Sequence, residues 1–178
     1  MRKLFDLHDR IFQSISSFFA PWFIPTAARF TFASVLLFFF WNSAKTKVGD
    51  SIFSPSLGSY AQIFPKKMEA VGYDISQMSG LDTLIVLMGT YAEFLIPLLV
   101  TIGLFTRLSS IAMIGFIIVM TLVDITGHNA DPTTIGAMFD RTSGSLILDQ
   151  RLMWIFILLV LVLKGGGPLS VDRLLRIK

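Results

Sequence analysis

The chain has 178 residues, of which 53% are hydrophobic and only 15% charged, and its mean hydropathy is +0.70. Average globular chains carry roughly a quarter charged residues, so a water-soluble enzyme is excluded first. The absence of Cys removes disulfides, thiolate metal sites, iron–sulfur clusters and dithiol redox chemistry, and the net charge of +3 comes from cations at the ends of apolar runs rather than in a stripe that would track nucleic acid.

In residues 1–20, Leu4, Leu7, Ile11, Ile15 and Phe18 recur at helical spacing while Arg2, Lys3, Asp6, Asp9, Arg10 and Gln13 fill the other side. This predicts an amphipathic helix lying in the membrane interface, with a packing helix in the aqueous phase as the alternative. No uninterrupted apolar stretch precedes a small-residue cleavage site, so a signal peptide is not expected. A bilayer core about 30 Å thick needs about 20 apolar residues at 1.5 Å rise, and four segments meet that requirement. The first runs from about Pro25 to Lys45 and the second from Leu81 to Phe105, with Ser79 as its cap and Asp82 at its positive end. A Thr106-Arg107 turn leads into the third, about Leu108 to Ile125, which Gly127 and Pro132 end. The fourth runs from about Leu146 to Lys164 and stops at Gly165-Gly166-Gly167-Pro168. The expected fold is therefore all-α: four transmembrane helices spanning one membrane domain, 25–175, behind the interfacial helix.

Four spans put both termini and Arg107 on one face of the bilayer. That face gathers Arg2, Lys3, Arg10, Arg29, Arg107, Lys164, Arg173, Arg176 and Lys178, whereas the cations of the opposite face are diluted by eight acids from Asp50 to Asp149. Lys and Arg are retained in the cytoplasm during insertion, so both termini are predicted to be cytoplasmic.

Glu93 lies roughly eleven residues, about 16 Å, from the outer end of the second span, where a carboxylate costs a few kcal/mol unless it is protonated, paired or facing a polar cavity. Pro97, four residues later, removes the N–H that would bond the Glu93 carbonyl. Tyr91 and Thr90 precede Glu93, and Gly89 permits close helix approach. Glu93 reads either as a ligand- or proton-binding carboxylate or as an interhelical pair that fixes packing. Arg29, about one turn into the first span, is the candidate partner, with snorkelling to the head groups as its other fate. Toward the outer end Asn42, Lys45, Asp124, His128 and Asp131 are candidates to converge, and Asn42 and Lys45 join Glu93, Arg29 and Tyr91 as candidate ligand- or proton-site residues. His128 and Asp131 are a weak metal signal that lacks a second His or any Cys, and a solvated loop explains them better. His8 and His128 are expected on opposite faces, which argues against a bis-His haem. Trp41, Trp154, Tyr60 and Tyr73 are expected as interfacial anchors, and the scattered methionines as core filling.

The segment AEFLIPLLVTIGLFTRLSSIAMIGF, Ala92 to Phe116, resembles the central signature of the DoxX family of small four-span bacterial membrane proteins. Arg29 followed by WNSAK, Trp41 to Lys45, resembles its first-helix pattern. GGGPLSVDRLL, Gly165 to Leu175, resembles its C-terminal glycine-rich turn and Ser-x-Asp segment, so that Gly103, Arg107, Pro168 and Asp172 read as signature positions with topological roles. The resemblance covers most of Pro25 to Leu175. It implies a bacterial cytoplasmic membrane protein that serves respiratory, quinone-linked or oxidative-stress redox systems as a subunit or partner, and it supplies no catalytic residue set.

Three functions are compatible with these residues. The first is a membrane subunit, not catalytic by itself, that holds a redox partner protein and shapes a quinone-accessible cavity near Glu93, with no covalent cofactor. The second is a small-solute or proton-coupled transporter with Glu93 as its switching group. The third is a quinone-binding oxidoreductase subunit in which Glu93, Tyr91 or Arg29 donates to a quinone oxygen. Association with a second copy is also expected of such a bundle, but no Gly-x-x-x-Gly pair marks the face.

Overall fold

The computed structural model describes residues 1–177; Lys178, counted above among the terminal cations, lies outside the described residues. The chain is mostly helical. Helix α1 (Arg2–Phe19) is followed by α2 (Phe23–Lys47), a small hairpin of β1 (Val48–Ser51) and β2 (Ser54–Pro55), and short helices α3 (Leu57–Ile63) and α4 (Pro65–Ala70). After a 3₁₀ turn at Ile75–Gln77 come α5 (Gly80–Ile102), α6 (Thr106–Gly127), α7 (Pro132–Ile135), α8 (Leu148–Lys164) and α9 (Val171–Leu174). The hairpin strands pair antiparallel, Val48 opposite Pro55 and Ser51 opposite Ser54.

Three helices, α2, α5 and α6, are long and apolar enough to cross a membrane. The expected fourth, α8, has 17 residues, about 26 Å at 1.5 Å rise. It packs between α2 and α6, while α5 packs against the same two helices on the other side, so the four close a ring. Its centre holds Phe32, Leu36 and Phe40 of α2, Val100 of α5, Met113 and Ile117 of α6, and Leu158 and Leu161 of α8. The outside is as apolar as the inside: Phe30 is 73% exposed, Phe38 63% and Leu163 74%. In water such a surface would associate, whereas lipid tails solvate it without cost. None of the residues of α1 is buried.

Helix ends follow local chemistry. Ser79 and Asp82 form a reciprocal capping box: the Asp82 N–H donates to Ser79 Oγ (3.2 Å), and the Ser79 N–H donates to Asp82 Oδ2 (2.8 Å). Gly103, at φ 71° in the left-handed region, ends α5 three residues before the expected Phe105. A Cβ at that position would lie 2.6 Å from the Cβ of Ser170 and 3.0 Å from the Arg29 guanidinium carbon, so only glycine fits. Two helices each contain a π turn, Ala33–Leu37 in α2 and Val123–Gly127 at the end of α6.

Segment 48–78 packs on the start of α5 through a small core of Tyr60, Met68 and Val86. Tyr60 is therefore not an interfacial anchor: it is buried, and its hydroxyl lies 2.8 Å from Thr83 Oγ1. Trp154 packs on Phe39 and Phe40, and the Trp41 indole N–H donates to the Phe94 carbonyl (3.0 Å), one residue from the carbonyl that Pro97 leaves without a helix partner. Both tryptophans thus serve packing between helices. Tyr73 is exposed.

Candidate functional site

The buried stripe of α2 runs through Phe32, Leu36 and Phe40, and its 3.6-residue period continues through Ala44 to Lys47. Lys47, the last residue of α2, therefore points its side chain back into the bundle. Its ammonium donates to both carboxylate oxygens of Glu93, each at 2.7 Å, and to Ser43 Oγ at 2.7 Å. The two side chains are only 5% and 6% exposed. Ser43 precedes Lys47 by four residues and shares its face, while Asn42 and Lys45 are exposed and take no part. The partner of Glu93 is thus Lys47.

Arg29 does not reach Glu93. Its Nε and Nη2 donate to the Thr101 carbonyl (3.2 and 2.8 Å), and its Nη1 donates to the carbonyls of Gly166 (3.0 Å) and Leu169 (2.8 Å). The last carbonyls of a helix have no N–H partner and carry the negative end of its dipole, so the C-terminus of α5 is the natural seat for this cation. Tyr91 also turns away from Glu93: its hydroxyl donates to the Ile52 carbonyl in the hairpin.

Glu93 and Lys47 line a cavity of about 320 Å³ between α2, α5, α6, α8 and α3. Phe39, Ile63, Ile85, Phe116, Val119 and Met120 form apolar walls. Gly89 also borders it, and a Cβ there would sit 3.4 Å from Ile63 Cδ1. A second ion pair also borders the cavity: Arg151 Nη2 donates to Asp124 Oδ2, and Nη1 donates to Thr121 Oγ1 (2.8 Å). The Arg151 Nε–H is buried with no hydrogen-bond partner among the described residues. His128 lies at the edge, its Nε2 3.0 Å from the Gln62 carbonyl oxygen, which places the proton on Nε2 as donor in the neutral ring.

Two internally neutral ion pairs in one apolar-walled space suit a ligand with an apolar body and an uncharged polar head. The Arg151 guanidinium, with one N–H of each Nη uncommitted, supplies donors, and Glu93 and Asp124 supply acceptors, while the three N–H groups of Lys47 are held by Glu93 and Ser43.

Of the polar outer residues, only Asp124 and His128 face this cavity. Asp131 is occupied as the cap of α7, accepting from the backbone N–H groups of Thr133 (2.9 Å) and Thr134 (3.1 Å) and from both hydroxyls (2.5 and 2.6 Å). Those hydroxyl bonds, Thr133 first, hold its carboxyl well below the usual range. Among the described residues no group of three or more His, Cys, Asp or Glu is placed to hold a metal ion.

The signature positions gather at the other end of the bundle. Asp172 accepts from the N–H groups of Phe105 (2.6 Å) and Thr106 (2.8 Å) and from the Thr106 hydroxyl (2.5 Å), so it caps α6 rather than its own short helix, which Ser170 caps. Arg107 Nη1 donates to the carbonyls of Val162 (2.7 Å) and Leu163 (3.1 Å) at the end of α8. Pro168 follows the glycine turn on its exposed rim. Arg29, Arg107 and Asp172 each satisfy a helix terminus, which is why the ends of α5, α6 and α8 meet here. Comparison of the chain with protein-family models, curated proteins and solved structures finds no match in any of the three.

Proposed function

We propose that the chain is a DoxX-like integral membrane protein of the bacterial cytoplasmic membrane, with α2, α5, α6 and α8 spanning the bilayer, both termini cytoplasmic and α1 lying in the interface. On this reading it binds a quinone in the cavity beside Glu93 and Lys47 and serves a redox enzyme as a membrane subunit, without being catalytic on its own. The observation that carries the reading is the cavity itself: apolar walls for an isoprenoid-bearing ring, and at its polar edge the Arg151 guanidinium, which spends one N–H of each Nη on Thr121 and Asp124 and keeps the other for a carbonyl oxygen. A quinone supplies two-electron chemistry when bound; the chain's residues bind it, orient it and screen it from water.

The test is retention of a short-chain ubiquinone analogue by the purified full-length protein, followed by titration of tryptophan fluorescence. Glu93→Gln should release Lys47 and change affinity severalfold or more. Failure of the wild-type protein to retain the analogue sinks the quinone assignment, retention unchanged in Glu93→Gln makes Glu93 structural and removes it from the site, and the absence of a stoichiometric co-purifying oxidoreductase sinks the subunit assignment.

A second reading, a proton-coupled carrier, draws on Pro97 and the two π turns, since interrupted helices beside an intramembrane carboxylate are the usual build of transporter sites. Glu93-dependent solute uptake by the protein alone in liposomes would favour it over the redox subunit.

A further inference from the structure

A second cavity, of about 590 Å³, opens at the opposite end of the bundle, where α2 begins, α5 turns into α6 and α8 ends. Arg107, Lys164 and Arg173 line it, with Asp172 the one acid. Both oxygens of Asp172 are consumed by the N-terminus of α6. Arg107 spends Nη1 on α8 carbonyls, but its Nε and Nη2 have no protein partner among the described residues, and neither do the side chains of Lys164 and Arg173. Gly165 leaves that free guanidinium edge open: at φ 73° it carries no side chain, and a Cβ there would lie 3.7 Å from Arg107 Nε and 3.8 Å from Nη2. The space thus holds three cations against one committed carboxylate. Its rim is apolar, with Trp22 38%, Phe105 51% and Leu108 67% exposed at the level where the apolar helices begin and end.

We propose that this cavity binds the phosphate of an anionic phospholipid, its acyl chains running along Trp22, Phe105 and Leu108. A phosphate diester presents acceptor oxygens to Arg107, Lys164 and Arg173 together, which a zwitterionic lipid offsets with its own cation. The apolar rim gives a lipid an advantage that a free phosphate cannot use. The site is separate from the cavity at Glu93 and does not rest on what that cavity binds.

The experiment measures lipid retained by the full-length protein in native mass spectrometry, after titration with phosphatidylglycerol, phosphatidylcholine or inorganic phosphate in mixed micelles. Phosphatidylglycerol should be retained and raise Tm, and the double substitution Lys164→Gln, Arg173→Gln should weaken retention about 30-fold, from two cations each worth about 1 kcal/mol near an anionic surface. Both residues are exposed, and the unchanged lipid-free Tm of the double variant would show that it is folded. Equal retention of phosphatidylcholine, or undiminished phosphatidylglycerol retention in the variant, overturns the proposal. A Tm rise of the same size from inorganic phosphate alone, lost in the variant, assigns the cations to a soluble anion and overturns the lipid.

Discussion

Glu93 and Lys47 should behave as one energetic unit. Each is almost fully enclosed, and the ammonium meets both carboxylate oxygens at 2.7 Å. Removing either partner leaves the other charge desolvated and unmatched, which typically costs 3–5 kcal/mol. Lys47→Met and Glu93→Leu should therefore each lower Tm by roughly 6–20 °C for a chain of this length. The double variant replaces the pair by apolar groups of similar volume and should recover most of that loss, since buried pairs are often no better than a hydrophobic substitute. Thermal unfolding in detergent, followed by circular dichroism, measures all four corners of the cycle. Ser43→Ala, which removes one donor–acceptor contact from the ammonium, should cost about 1 kcal/mol. If the two single losses simply add in the double variant, the pair is not coupled and the geometry described here is wrong. A parallel cycle between Arg29 and Glu93 should show additivity, because Arg29 is spent on the carbonyls of Thr101, Gly166 and Leu169.

Gly103→Ala should destabilise by about 1–3 kcal/mol, read as a drop in Tm, since it combines a left-handed backbone with a Cβ 2.6 Å from that of Ser170. Ser79→Ala removes the cap of α5 and should cost about 1 kcal/mol in the same assay. Asp131 has a folded-state pKa below its unfolded value, so its contribution is present at neutral pH and lost as pH falls below the usual carboxylate range near pH 4. A carbon-detected NMR titration should find its carboxyl still ionised where exposed aspartates protonate, and Asp131→Ala should lessen the acid sensitivity of Tm. Loss of Asp124 by Asp124→Asn should leave the Arg151 guanidinium without its counter-charge and lower Tm, whereas Asn42→Ala and Lys45→Ala, exposed on α2, should leave Tm within about 1 °C.

The linear order of residues was enough to place the long helices, because the length of an apolar run and the Ser79–Asp82 cap are local facts that any tertiary arrangement must respect, whereas the stop at Gly103, short of the expected Phe105, is set where Ser170 and Arg29 crowd it. It also singled out Glu93, since a carboxylate in an apolar run is conspicuous whatever packs against it. The identity of its partner was not local. Lys45 and Lys47 are two residues apart and look equivalent in a list of charges, yet two positions on a helix differ by about 200° in direction. Only the packing of α2 against α5 and α8 turned Lys47 inward and Lys45 out. The continuation of the stripe from Phe32, Leu36 and Phe40 to Lys47 was the one signal that could have separated them. Likewise Arg29 had a visible charge and no visible destination, and the meeting of the α5 terminus with the glycine turn 137 residues away gave it three carbonyls instead of an acid. Asp124 and Arg151, Tyr60 and Thr83, and Asp172 and the start of α6 are pairs of the same kind. Each is fixed by which elements meet in the folded chain, helix ends of the closed ring or segment 48–78 on the start of α5, a property that no window along the chain contains.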